Sequence, residues 1–387
     1  MVNKIQHIIT LLTSLALIAC FSGCNGKREQ KVENGQYRVL VVAPLTGTGS
    51  ELGQSSRAGM EMAMSDLAKG KDGVNIELLF HDSKTDPKTA LSIFSSRQML
   101  KACKVVIGEM SGVSRALVAP AQRDSILLLA TLVGVPNIGQ GSPYFARVNV
   151  MSDAIAPPLA AFAAKKYKSI TCLYLNDDYG RANYELFAKT FRDAGGQIKN
   201  ADYFGTDPAE ARTLVKKVSS SGEKAVFIAG YGQTYIALFK VFKELAPDIQ
   251  VFADIGLVND PVFQALGNAI NGVYVAATDI DEYPPTQPAA IDFHNRYSQM
   301  TQGKRPDYVS AYSYDTVKIL SDALRSVGSD DPVLIRNYLT TNTFTGFGGR
   351  FKGDKLTGDS IYEALPLFQI RNGQVVRLTE AELNAHG

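Results

Sequence analysis

The sequence predicts an α/β protein made of two doubly wound lobes in tandem, and three observations lead there. Short β-branched runs alternate with longer amphipathic stretches from Tyr37 onward, the same alternation restarts near Ser169, and 387 residues exceed what one hydrophobic core sustains.

The segment before the first strand belongs to neither lobe. Lys4 is followed by an uncharged run over residues 8–24 that contains ITLLTSLALIAC and FSGC. A short basic stretch, an apolar stretch and a small-residue cleavage zone are the parts of an export signal. Read as an anchor, the run reaches spanning length only if its Thr and Ser count as apolar, and Lys27 and Arg28 argue against the orientation of an exported body. Residues 1–23 are therefore expected to be a signal peptide and residues 24–36 a tether. Leu17-Ile18-Ala19-Cys20 and Phe21-Ser22-Gly23-Cys24 both resemble the lipobox of bacterial lipoproteins. Cleavage before Cys24 leaves the polar tether Asn-Gly-Lys-Arg-Glu-Gln, whereas cleavage before Cys20 leaves a Phe and a second thiol, so Cys24 is the expected lipidation site and Cys20 its alternative.

Loss of the first 23 residues leaves 364 and removes Lys4, which takes the formal charge from +2 to +1. A near-neutral body with interspersed charge carries no electrostatic footprint for nucleic acid. No later apolar run approaches spanning length. Cys103 and Cys172 sit at or inside apolar runs, where a free cysteine behaves as a small hydrophobe, and both are expected to be unpaired.

The first set of strands is expected at residues 38–42, 74–80, 105–107 and 126–129, with helices over 53–68 and 87–100. Asp86 is placed to cap the second helix, whose first position is Pro87, where a missing N–H costs nothing. Residues 151–158 lie between the halves, and Pro157-Pro158 is a candidate start for the next helix. The second set runs through strands at 169–175, 197–203, 225–229, 250–253 and 273–276. Helices over 180–194, 209–220, 234–245 and 261–266 separate them. Residues 281–331 are helical in pattern, mainly 291–301 and 309–326, after the Pro-rich stretch 283–288. A Gly- and Lys-rich stretch over 346–358 precedes an extended run at 362–370, and Arg371-Asn372-Gly373 turns it into Val375-Val376 as a hairpin. No block repeats at a short fixed period, which excludes solenoids and propellers.

Reactive groups are scarce. Only His81 and His294 lie in the body away from its end, neither has a partner at metal-ligand spacing, and no CxxC, HExxH, GxSxG or P-loop occurs. No metal, cofactor or catalytic residue is expected. The run Gly47-Thr48-Gly49-Ser50-Glu51-Leu52-Gly53 follows the first strand, where a dinucleotide loop would sit, but it is one residue too long for GxGxxG. It reads equally as a tight turn or as backbone N–H groups turned toward a polar ligand.

In order along the chain, Val41-Val42-Ala43-Pro44-Leu45-Thr46-Gly47 with Gly53-Gln54 and Gly59, then His81-Asp82-Ser83-Lys84-Thr85-Asp86-Pro87, then Val106-Ile107-Gly108-Glu109-Met110-Ser111 through Ala119-Pro120, resemble one family. Asn176-Asp177-Asp178-Tyr179-Gly180, Ala311-Tyr312-Ser313-Tyr314-Asp315 and Phe344-Thr345-Gly346 to Asp359 continue the likeness. The family is the type I periplasmic binding proteins, in the branched-chain amino acid and amide receptor branch that feeds ABC importers, and the likeness runs from about residue 37 to 377. It implies two Rossmann-like lobes joined by a three-stranded hinge, lobe one from residues 37–153 and 282–361, and lobe two from 154–281 and 362–380. It also implies a monomeric, lipid-anchored receptor on the periplasmic or cell-surface side of a bacterial membrane, one that captures a small molecule for permease subunits and does no chemistry.

The resemblance carries the pocket over position by position. The family's carboxylate-holding serine falls on Gly112, beside Ser111, and its threonine on Gly134, beside Val133. The acid that takes the ammonium falls on Gly256, with Asp254 two residues earlier. Two aromatics remain, Tyr179 and Tyr231, and Leu52 stands where an aromatic often shapes the cleft mouth. With all three polar anchors replaced by glycine, the expected ligand is a small organic molecule other than a standard branched-chain amino acid. A sensory or interaction lipoprotein of the same fold, with weak or no binding, is the alternative, and an exported enzyme a remote one.

Overall fold

The computed structural model describes residues 36–70, 74–96 and 103–385. The expected signal peptide, Cys20, Cys24 and the tether up to residue 35 lie outside the described residues, as does the far end of the helix expected to reach residue 100.

Lobe one opens with β1 (Gln36–Ala43), α1 (Ser50–Lys69), β2 (Asn75–Asp82), α2 (Pro87–Phe94), β3 (Cys103–Glu109), α3 (Ser111–Arg123), β4 (Leu127–Thr131) and β5 (Phe145–Arg147). Its sheet has the order β2-β1-β3-β4-β5, with β1, β3, β4 and β5 parallel. Alternate residues of one strand serve different cores. Val39 and Val41 pack with Met60, Ala311 and Leu320 on one face, while Leu40 and Val42 pack with Val106 and Leu128 on the other. Helix α1 begins at Ser50, three residues before the expected start, with Gly49 as its N-cap. A Cβ on Gly53 would stand 2.2 Å from the Pro44 carbonyl oxygen, so the glycine lets the helix rest directly on the end of β1. Asp86 caps α2 by accepting from the Thr89 N–H at 2.8 Å. No helix was expected over α3, whose Pro120 and mixed polarity blur its period.

Lobe two contains α4 (Ser152–Lys166), β6 (Ser169–Leu175), α5 (Asp178–Asp193), β7 (Gln197–Phe204), α6 (Glu210–Ser220), β8 (Ala225–Ala229), α7 (Gly232–Leu245), β9 (Gln250–Ala253), α8 (Asp260–Leu266) and β10 (Tyr274–Ala276). The expectation for Pro157-Pro158 is corrected here, because both prolines lie inside α4 rather than at its start. A proline in a helix leaves the carbonyl four residues earlier without its donor. For Pro158 that carbonyl belongs to Ala154, and the Leu365 N–H donates to it at 2.9 Å. The helix therefore keeps its proline by borrowing a donor from a distant part of the chain.

The chain then returns to lobe one through α9 (Pro288–Met300), α10 (Tyr308–Val327) and α11 (Pro332–Thr341), followed by a small antiparallel sheet of β11 (Thr343–Gly346), β12 (Gly349–Gly353) and β13 (Ser360–Tyr362). Helices α1 and α10 touch backbone to backbone, since a Cβ on Gly59 would lie 2.2 Å from the Ser310 carbonyl oxygen. Finally β14 (Leu367–Arg371) and β15 (Gln374–Arg377) form the hairpin, with Asn372 and Gly373 at φ 51° and 73°, and join lobe two antiparallel to β10. The second sheet has the order β15-β14-β10-β9-β8-β6-β7. The chain thus crosses between lobes three times, at residues 148–151, 277–287 and 363–366. Cys103 in β3 and Cys172 in β6 are buried, unpaired and in different lobes.

Candidate functional site

In open parallel sheets, ligand sites form beyond the carboxyl ends of the strands. Here the carboxyl ends of β3 and β4 meet those of β6, β8 and β9 across a cleft with about 570 Å³ of atom-free space, counted out into its mouth. The backbone is strained at the lobe-one side of this cleft. Met110, just after β3, has φ 69° and ψ 140°, and Leu132, just after β4, has φ 56°, and both line the cleft. Non-glycine residues held in that region are typical of sites whose geometry the surrounding structure enforces.

Buried polar groups supply that enforcement. Arg147, fully buried at the end of β5, donates to the carbonyls of Val133 and Val135, the latter at 2.8 Å, and pairs with Asp359 at 2.9 Å. Burial pulls its guanidinium down to about 10, against the opposing charge of Asp359. Asn149 accepts from the Val133 N–H at 3.3 Å and donates to the Val133 carbonyl at 3.1 Å. The Gly134 N–H donates to Ser111 Oγ at 3.2 Å, and the Gly134 carbonyl accepts from the Ser152 N–H at 2.9 Å. The loop after β4 is therefore tied to α3, β5 and the first crossing at once.

The lobe-two wall is organised by Asp254. Its carboxylate accepts from the Tyr235 hydroxyl at 2.7 Å and the Gly230 N–H at 3.2 Å. Burial outweighs these donors and pushes the carboxyl up to about 7. Tyr231 donates its hydroxyl to Asp177 at 2.6 Å, and the Asp177 carboxylate also caps α5 through the Gly180 N–H at 2.8 Å. The Tyr179 and Tyr231 rings lie 6.1 Å apart at 53°, side by side on the wall.

Of the residues singled out from the sequence, Leu52, Ser111, Gly134, Tyr179, Tyr231 and Gly256 line the cleft, and Gly112, Val133 and Asp254 do not. Gly112 turns its α-carbon toward Pro87 of α2, Val133 is fully buried behind the loop, and Asp254 lies under the wall it holds. Gly256 has no room for a side chain, since a Cβ there would stand 2.3 Å from the Gly230 carbonyl oxygen. Sequence reading missed Met110, Leu132, Asn149, Val150, Ile155, Gly230, Ile255, Tyr308 and Tyr312 on the wall. Tyr308 and Tyr312, four apart on α10 and so on one helix face, were the pair with a readable signal.

The wall as a whole carries no charged side chain. What it offers instead are tyrosines, one serine, one asparagine and two helix N-termini without a side-chain cap. Those helices are α3, which starts at Ser111, and α7, whose N-cap is Tyr231. Free N–H groups at such ends favour an anion. Among the described residues no cluster of His, Cys, Asp or Glu is arranged to hold a metal. No helix of the described residues is long and apolar enough to cross a membrane.

A family model described as periplasmic binding protein matches residues 36–374. The leucine-, isoleucine-, valine-, threonine-, and alanine-binding protein of Pseudomonas aeruginosa is 24% identical, over 84% of this chain and 89% of its own length. Two solved structures share the fold. A solute binding protein of an ABC transporter from Rhodopseudomonas palustris, in complex with 3,4-dihydroxy benzoic acid, has a TM-score of 0.82 at 17% identity, over 89% of this chain and 97% of its own. A leucine binding protein from Thermotoga maritima has a TM-score of 0.77 at 23% identity, over 89% and 98%.

Proposed function

The chain belongs to the periplasmic binding protein family, and on that premise we propose that it is a lipid-anchored receptor of an ABC importer whose cleft takes a small organic acid rather than a branched-chain amino acid. The observation that carries the ligand assignment is the absence of any acidic side chain on the cleft wall among the described residues. An amino acid brings an ammonium as well as a carboxylate, and a desolvated ammonium without a counter-charge is costly. Asp254 and Asp177 lie behind the wall, and they already accept from the Tyr235 and Tyr231 hydroxyls and from the Gly230 and Gly180 N–H groups. A carboxylate alone has partners in the Ser111 hydroxyl and the open starts of α3 and α7, and an apolar or aromatic body has Leu52, Tyr179 and Tyr231. The relative that holds 3,4-dihydroxy benzoic acid has the fold in common with this chain, which agrees with a ligand of that kind.

In this reading Cys24 is the lipidated residue, the receptor acts as a monomer on the outer side of a bacterial membrane, and closure of the lobes presents the loaded cleft to the permease subunits. Closure draws only on the ligand's better contacts in the closed state. Calorimetric titration of the mature chain with benzoate, 4-hydroxybenzoate, leucine and isoleucine tests the ligand class. One of the acids is expected to bind at least tenfold tighter than either amino acid, and tight leucine binding would sink the assignment. At a hundredfold excess over its dissociation constant the ligand should add about 2.7 kcal/mol of stability, which a thermal melt resolves. Mass spectrometry of the membrane-extracted protein tests the anchor, with lipid expected in Cys20→Ser and lost in Cys24→Ser.

A further inference from the structure

Tyr312 is the wall residue whose hydroxyl the protein leaves unfinished. It is 1% exposed, it lines the cleft, and its hydroxyl has no hydrogen-bond partner among the described residues. The ring has no freedom to swing the hydroxyl elsewhere. It packs edge-to-face against Tyr362 at 5.8 Å and Tyr308 at 6.3 Å, and its edge fills the space over Gly348, where a Cβ would stand 2.3 Å away. A buried phenol that keeps its proton unshared is an unmet demand, and a ligand is what can meet it.

The charge nearby narrows what that ligand group is. Asp281 and Asp315 are the charged groups acting on Tyr312, and no cation does. Burial pushes their carboxyls up, to about 7 and about 6, and neither offers a counter-charge, so a second carboxylate is disfavoured there and an uncharged oxygen favoured. The uncapped start of α3 is the group on the wall suited to an anionic end. We propose that Tyr312 is a specificity-determining residue that donates a hydrogen bond to an uncharged oxygen of the ligand, such as a hydroxyl or amide carbonyl, at the end away from its carboxylate. The assignment rests on the organic-acid reading above. It makes the ligand bifunctional, with an anion at one end and a neutral acceptor at the other.

The test compares benzoate with 4-hydroxybenzoate in the wild type and in Tyr312→Phe, by calorimetric titration of the mature chain. The wild type is expected to bind 4-hydroxybenzoate at least tenfold tighter than benzoate, and Tyr312→Phe to remove most of that gap by weakening the hydroxylated acid alone. Both acids binding equally, or losing equally in the variant, overturns the Tyr312 assignment and leaves the organic-acid reading standing. Preference for leucine over both acids overturns that reading, and binding of none overturns both. The ligand-free variant should melt within about 2 °C of the wild type, since only an unshared hydroxyl is lost. A larger drop would show that the hydroxyl serves the fold and would end the proposal.

Discussion

Gly134 of lobe one lies directly against the ring of Tyr179 of lobe two, so closely that a Cβ on the glycine would stand 2.8 Å from two ring carbons. A Cβ on Gly232 would likewise stand 2.9 Å from the Thr48 carbonyl oxygen, and Arg115 of α3 pairs with Asp178 of α5 at 2.8 Å. Three contacts thus join the two lobes along one cleft.

Gly134→Thr places a side chain where the Tyr179 ring now packs. The backbone tolerates it, because Gly134 is not in the left-handed region, but the new atoms also meet Ser152 Oγ at 2.9 Å. Closure should be obstructed, so affinity for whichever acid binds the wild type is expected to fall at least tenfold by calorimetry. The ligand-free melting temperature should stay within a few degrees, since an open cleft relieves the clash. Undiminished affinity would show that the ring of Tyr179 moves aside at no cost.

Arg115→Ala removes the ion pair across the cleft rim. Both partners are partly exposed, at 50% and 38%, so the pair contributes little, on the order of 0.2–1 kcal/mol, and is screened by salt. Ligand affinity should drop no more than about fivefold at low ionic strength, and the difference should vanish near 0.5 M salt. A loss that persists in high salt would mean that Arg115 acts on the ligand itself.

Glu109 sits fully buried at the end of β3, with one oxygen bonded to the Ser56 hydroxyl and the other without a partner. Burial pushes its carboxyl up to about 8, from 4.5 when unfolded. Between those values the folded chain holds a proton that the unfolded chain releases, so stability falls as pH rises through that window. Glu109→Gln keeps the shape without the charge. Its melting temperature should match the wild type near pH 5 and exceed it by about 2–4 °C at pH 8.5 in a pH series of melts. Parallel curves at both pH values would refute the buried charge as the cause.

Pro158→Ala gives α4 an N–H that competes with Leu365 for the Ala154 carbonyl. The helix gains what a mid-helix proline cost, roughly 3 kcal/mol at most, while the third crossing loses its tie. Net melting temperature should change by only a few degrees, and limited proteolysis should quicken at residues 363–366. A large rise in melting temperature with no new cleavage would show that the Leu365 bond contributes nothing.

How much of this was legible differs by feature. The strands 169–175, 225–229 and 250–253 were placed to the residue, because buried parallel strands are short apolar runs between turn residues. Helix α3 was not, since its buried residues Val113, Leu117 and Ala121 are interrupted by Ser114, Arg115 and Pro120. The entry to α4 misled, because a proline pair signals a helix start only when nothing outside the helix supplies the missing donor.

The sequence by itself determined the two-lobed α/β architecture, the absence of recognisable catalytic or metal motifs, and glycine at positions 112, 134 and 256, because these depend on local periodicity and residue identity. The tertiary structure alone decided what surrounds those positions. Gly134 makes room for Tyr179, Gly256 for the Gly230 carbonyl, and Asp254 is held by the Tyr235 hydroxyl, while Tyr308 and Tyr312 reach the wall from more than fifty residues away. Periodicity along a chain records which face of an element is buried, but not which element will face it, and a cleft between lobes consists of such meetings.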